Sequence, residues 1–140
     1  MDKVVTDHSP ENLTALFPGT QVVAELPFFS ILAKETRVPW LIFIPKYPLE
    51  NINSTLLLYG QIHRLVEELR ETNGMGHYNL AKIGNKNEWL HLHLVFRSEH
   101  DEAWPDPVWC REPLEENKGA ATGLSKMVKS ALQQTSASAM

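Results

Sequence analysis

The spacing of hydrophobic positions changes several times along the chain. Between Thr20 and Lys46 they come in short runs: "TQVVAELP" and "FFSILAKE" each predict a strand, with Pro27 between them and a hairpin across it. "PWLIFIPK" is almost continuously apolar between Pro39 and Pro45, which predicts a central strand buried on both faces. From Ser54 to Thr72 the step lengthens. Leu58, Ile62, Leu65, Val66 and Leu69 recur every three or four residues, Arg64, Glu67, Glu68, Arg70 and Glu71 fill the other side, and Gly74 follows as a stop. This predicts one long amphipathic helix. Alternation then returns in "HYNLAKIGN" and "WLHLHLVFR", two strands expected to pair antiparallel through a tight turn at "GNKNE".

The flanks read less regularly. "SPENLTALFPGT" suggests a brief helical turn before a Pro-Gly corner, and "SEHDEAWPDPVWC" an extended, packed loop. In "GLSKMVKSALQQ", Leu124, Met127, Val128, Ala131 and Leu132 fall at helical spacing before a Ser/Ala tail expected to fray. Five strands joined by hairpins, one long helix packed on them and a C-terminal helix make an α+β protein with a mostly antiparallel sheet. The 140 residues suit a single domain, with a core of about 16–110 and a C-terminal extension over 111–140.

Composition narrows the choice of partners. Thirteen Lys and Arg against seventeen Asp and Glu give a net charge of -4, so there is no electrostatic footprint for a nucleic acid polymer. A local cluster of cations can still hold a small anion. Cys110 is the lone cysteine, which excludes an intrachain disulfide and fits a reducing, cytoplasmic setting. The N-terminal "MDKVVTDHSP" has no signal-peptide pattern and "WLIFI" is far too short to span a bilayer, so no membrane partner is expected.

The chemistry concentrates in "NEWLHLHLVFR". With a period of two, Leu90, Leu92, Leu94 and Phe96 face the helix, while Trp89, His91, His93, Val95 and Arg97 share the other face. Two neutral imidazoles at i and i+2 offer lone pairs without special activation. Three readings compete. Both histidines can be solvated surface residues; they can be two ligands of a zinc, although no third ligand such as an H-E-x-x-H helix is apparent; or one can attack a phosphorus while its neighbour supplies a hydrogen bond or proton. Arg97 lies roughly 13 Å beyond His93 along an ideal strand, so structural pairing suits it better than contact with the same phosphate.

"LHLHLVFR" resembles the last two positions of the histidine-triad motif, His-φ-His-φ-His-φ-φ, of the HIT superfamily of nucleotide hydrolases and transferases. "AELPFFSILAKETRVPWLIFIPK", the long helix, "YNLAKIGNKNEWLHLHLVFR" and "AWPDPVW" resemble a bacterial branch of it in the same order, over roughly Leu16 to Trp109. The resemblance implies His91 as the nucleophile toward an α-phosphorus, His93 as the third triad position, and Asn79 as an asparagine near the phosphate. Trp89 stands in place of the first triad histidine and Trp40 in place of a further pocket histidine. Both are therefore expected at the substrate, where an indole can donate a hydrogen bond but cannot act as an acid or base. "GNKNE" stands in place of a phosphate-cradling turn, with Lys86 and Asn87 as candidate contacts. Trp104 and Trp109 could shape a base pocket, although packing is the commoner use of such residues. His8, His63, His77 and His100 are expected to be solvated.

The resemblance thus implies hydrolysis of a small-molecule nucleotide, a dinucleoside polyphosphate or nucleoside phosphoramidate, through a nucleotidyl-His91 intermediate, with His93 helping the leaving group depart. No cofactor is required beyond magnesium carried in on the substrate, no metal is held by the protein, and a homodimer with a continuous ten-stranded sheet is expected. Two alternatives stay open: a nucleotide-binding module that has lost turnover because of Trp40 and Trp89, and a metal-dependent hydrolase using His91 and His93 as ligands.

Overall fold

A computed structural model describes residues 3–138, and side chains through residue 135. The elements run α1 (Pro10–Leu16), β1 (Thr20–Glu25), β2 (Phe29–Lys34), β3 (Trp40–Pro45), α2 (Ile52–Asn73), β4 (His77–Ala81), β5 (Leu92–Arg97), a 3-10 turn at Val108–Cys110 and α3 (Lys118–Ser138). The strands form one five-stranded sheet in the order β1-β2-β3-β5-β4, and every neighbouring pair is antiparallel. The α+β expectation holds.

β3 occupies the middle of the sheet, and all six of its residues are buried. Leu41 and Phe43 join Leu92, Leu94 and Phe96 of β5 beneath α2, while Trp40, Ile42 and Ile44 point to the opposite face. This is why its sequence is apolar at consecutive positions. The apolar stripe of α2 (Leu58, Ile62, Leu65, Val66 and Leu69) closes the first face. Its ends match its sequence: the Asn51 side chain accepts from the Ser54 amide at 3.2 Å, and Gly74 ends the helix at φ 66°, a left-handed conformation that glycine adopts without cost.

The second face has no long helix over it. α1, Val5 and the loop 98–117 cover it, contributing Leu13, Phe17, Ala103 and Val108. A sheet face roofed by short segments leaves gaps between them, and the candidate site lies there.

Three expectations need correction. The β4–β5 link is not a tight turn, since ten residues, Lys82 to His91, separate the strands. Trp89 leaves the ladder to form a parallel bridge with Lys3, and the Leu90 amide donates to the Lys3 carbonyl at 2.6 Å. Leu90 is therefore buried outside the cluster beneath α2. The Ser/Ala segment continues helical through Ser138, and α3 begins as early as Lys118, where the Asn117 side chain accepts from the Ala120 amide at 2.9 Å and serves as its cap.

Candidate active site

His93 lies on β5 beside Ile42 of β3, and His91 immediately precedes the strand. Both are almost fully buried, at 7% and 6% exposure, with ring centroids 4.8 Å apart. They line a cavity of about 340 Å³ together with Phe17 and Thr20 from the start of the chain, Lys34 at the end of β2, Ile83, Lys86 and Asn87 of the β4–β5 link, and Trp109 and Glu112 of the covering loop.

Hydrogen bonds fix the two rings in opposite tautomers. His91 Nδ1 lies 2.5 Å from the Trp89 carbonyl, which can only accept, so Nδ1 carries the proton and the lone pair falls on Nε2. Phe17 meets the same ring edge-on at 5.1 Å. For His93 the order reverses. The Trp40 indole N-H, 3.0 Å away, donates to Nδ1, so Nε2 carries the proton, and the Ile83 carbonyl lies near the ring. Burial above all, then the neighbouring His91 and the Lys34 ammonium, holds His93 down to about 3, against the smaller pull of that carbonyl.

Cations line one side of the cavity. Lys34 Nζ sits 3.9 Å from the centroid of the Trp40 ring and 3.6 Å from Glu112 Oε1. Lys86 is exposed at the cavity edge. Asn87 is fully used in shaping the link: its Nδ2 donates to the Leu16 carbonyl and its Oδ1 accepts from the Trp89 amide, both at 3.0 Å.

The expected site residues therefore divide. His91, His93 and Lys86 meet in this cavity. Trp40 is fully buried behind His93, at 0% exposure, so it acts on the ring and offers no surface to a substrate. Trp89 does not line the cavity. Its carbonyl serves His91 while its indole lies under the Lys3 ammonium, 5.6 Å away. Asn79 and Arg97 line a neighbouring cavity of about 380 Å³ with His77 and Trp104, separated from the first by Trp109, which borders both. There Arg97 donates twice to Asp101, at 2.9 and 3.1 Å, once to Asn79 Oδ1 at 3.0 Å and once to the Asp106 carbonyl at 2.7 Å. Burial pushes the Asp101 carboxyl up, but the Arg97 hydrogen bond and the amides of Ser98 and Ala103 hold it below its ordinary value. Arg97, a candidate substrate contact in the sequence, is thus engaged in hydrogen bonds within the protein and lines a different cavity from the histidines.

The sequence reading passed over Phe17, Lys34 and Glu112 and favoured packing for Trp109, and segments distant in the chain bring all four to the cavity. Lys34 had one signal: it alternates with Ser30 and Leu32 onto the histidine face of β2. One histidine expected to be solvated is not, and a second, His77, is exposed but has a ring partner. His8 is buried, accepting from the Ser30 hydroxyl at 2.7 Å and donating to the Val5 carbonyl at 3.0 Å. His77 stacks on Trp104, with centroids 5.9 Å apart.

Among the described residues no three His, Cys, Asp or Glu are grouped to hold a metal ion. Nor is any helix long and apolar enough to cross a membrane.

No protein-family model and no curated protein matches the sequence. Solved structures do. The chain is similar to a histidine triad protein of Bradyrhizobium japonicum, at 26% identity and TM-score 0.71, over 86% of this chain and 93% of that one. A histidine triad protein of Marinobacter aquaeolei VT8 matches at 27% identity and TM-score 0.70, over 89% and 94%. A third, from Sinorhizobium meliloti 1021, shares 22% identity and bears on the fold alone, at TM-score 0.74 over 90% and 97%. The chain thus shares the fold of these bacterial histidine triad proteins, the family that its sequence motif resembles.

Proposed function

We propose that the protein is a nucleotide phosphohydrolase that acts at an α-phosphorus, on a dinucleoside polyphosphate or nucleoside phosphoramidate, through a covalent nucleotidyl-His91 intermediate. The observation that carries this is the tautomer of His91: with Nδ1-H donating to the Trp89 carbonyl, the lone pair sits on Nε2 of a ring that lines a cavity flanked by Lys34 and Lys86. A carbonyl behind an attacking imidazole also stabilises the positive ring that forms when Nε2 bonds to phosphorus. The two lysines suit the phosphate oxygens. The metal-hydrolase reading loses its support at His93, whose Nδ1 lone pair accepts from the Trp40 indole while Nε2 carries the proton. The binding-module reading attributes lost turnover to Trp40 and Trp89 standing in place of histidines, and neither indole lines the cavity.

The protein needs no cofactor of its own in this reading, and magnesium arrives on the substrate. A homodimer and a cytoplasmic location belong to the same proposal. β4 is an outer strand of the sheet, and α2 leaves Ile52, Leu56 and Leu57 exposed at 64%, 68% and 46%, a combination that favours covering by a second copy. Chromatographic product analysis with diadenosine tetraphosphate, for wild type and His91→Ala, tests the activity. Turnover by the wild type alone is expected, and equal turnover by both sinks the role given to His91. Sedimentation tests the dimer.

A further inference from the structure

The cavity holds a nucleophile but, among the described residues, little that can act as a proton donor. Its titratable side chains are Lys34, Lys86, His91, His93 and Glu112. The roles of His91 are set by attack at Nε2 and the hydrogen bond at Nδ1. His93 has Nδ1 engaged inside the protein by the Trp40 indole, and its ring is almost fully buried. Adding a proton to Nδ1 would set two N-H groups against each other, because the Trp40 indole cannot accept. The expectation that His93 helps the leaving group depart is therefore not met by its geometry. Glu112 faces the Lys34 ammonium at 3.6 Å, and the lysines bring positive charge. Such a site is matched to a group that leaves carrying negative charge, not to one that must be protonated as it leaves.

We infer that this protein selects its substrates by leaving group: it cleaves nucleotides whose α-phosphorus bears a phosphate, polyphosphate or other stable anion, and is poor at phosphoramidates, whose nitrogen must gain a proton to depart. The inference rests on the hydrolase reading above and narrows it. In the first step the Nε2 lone pair forms the N-P bond, the bond from phosphorus to the bridging oxygen breaks, and that oxygen keeps the electron pair, held by the charge of Lys34 and Lys86. The ring, now bearing phosphorus on Nε2 and hydrogen on Nδ1, is cationic and faces the Trp89 carbonyl. In the second step water attacks phosphorus, the P-N bond breaks with its pair returning to Nε2, and the water proton passes to solvent. The departing imidazole is neutral, so this step also needs no acid. Only the first step discriminates between substrates.

The test compares kcat/KM for diadenosine tetraphosphate, the 4-nitrophenyl ester of AMP, the phenyl ester of AMP and adenosine 5′-phosphoramidate at one pH, with retention of label from adenine-labelled substrate on wild type and His91→Ala. Rates should rise steeply with the acidity of the leaving group, and the phosphoramidate should fall behind the tetraphosphate by about 100-fold to 10,000-fold, the usual contribution of a general acid. A phosphoramidate within about tenfold of the tetraphosphate, or equal rates for the two aryl esters, overturns the inference while leaving the hydrolase reading intact. Where the phosphoramidate keeps pace and Lys34→Met or Glu112→Gln selectively slows it, that residue is the missing acid and the inference is again overturned. No turnover of any of the four, with no label on His91, overturns the hydrolase reading and this inference with it.

Discussion

The two ends of one strand face make the most instructive comparison in this molecule. His93 and Arg97 both point from β5 to the face opposite α2, both are nearly buried, and each borders its own cavity, with Trp109 between. At the Arg97 end the charge is answered inside the protein. Arg97 and Asp101 side chains are 3% and 7% exposed and doubly bonded, and Asn79 and the Asp106 carbonyl take further guanidinium protons. At the histidine end Lys34 pairs only loosely with Glu112, at 3.6 Å, Lys86 lies exposed at the edge of an open cavity, and the tautomer of His91 puts its lone pair on Nε2. A closed polar network pins the covering loop, and an open one is left for a ligand.

Single substitutions should separate the two ends. His91→Ala should lower kcat by several powers of ten, as removal of a nucleophile does, while leaving the thermal midpoint within a few degrees. Arg97→Met should do the reverse. It strands Asp101 in a buried site and is expected to cost about 3 to 5 kcal/mol, read as a lower denaturant midpoint, with kcat of the folded fraction within a fewfold of wild type. A loss of kcat at full stability in Arg97→Met would place Arg97 at the substrate and erase the contrast.

Much of this frame is written in local sequence. The double-sided burial of β3 follows from its unbroken apolar run, and the limits of α2 from Asn51, its stripe and Gly74. The His-x-His pair was also visible, because side-chain alternation in a strand requires no tertiary knowledge. What escaped depends on contacts between distant segments. The link after β4 looks like a tight turn because its Gly and Asn residues suit one, yet Trp89 and Leu90 find a partner in Lys3, at the opposite end of the chain. Trp40 reads as a pocket residue by position, but it lies one strand over from His93, and which side of that ring it covers is set by β3–β5 register. Lys34 joins the site only because the β2–β3 register sets its ammonium over the Trp40 ring.

The next expected effect is on acid stability. His93 is held at about 3 in the folded protein, below the ordinary histidine value near 6.5. The folded state thus binds fewer protons than the unfolded one between those limits. Stability should fall as pH drops from about 6.5 toward 3, with a slope approaching about 1.4 kcal/mol per pH unit from this group. His8, also lowered by burial, adds to the same slope. Asp101 behaves as a depressed carboxyl, so its contribution is present above the ordinary carboxylate range and is lost as pH falls through its folded value. Denaturant titrations from pH 7 to pH 4 should show a shallower slope for His93→Gln than for wild type. Parallel slopes would mean that His93 takes up its proton in the folded state.

The smallest expected effect is also the most selective. Trp40→Phe keeps an aromatic ring in the core and removes the one N-H that donates to His93 Nδ1. The lost hydrogen bond should cost about 1 kcal/mol. It also frees Nδ1 to take a proton, because an indole donor no longer opposes it. Burial and the nearby Lys34 still disfavour the charged ring, so its folded value should rise only part of the way from about 3 toward the ordinary one. If the hydrolase reading holds, the expected signature is a gain in phosphoramidate turnover relative to polyphosphate turnover at pH 5 to 6, with little change at pH 8. NMR titration of the His93 ring reports the cause directly. An unchanged ring titration together with an unchanged substrate ratio would show that burial alone, without the indole, keeps this end of the strand from handling protons.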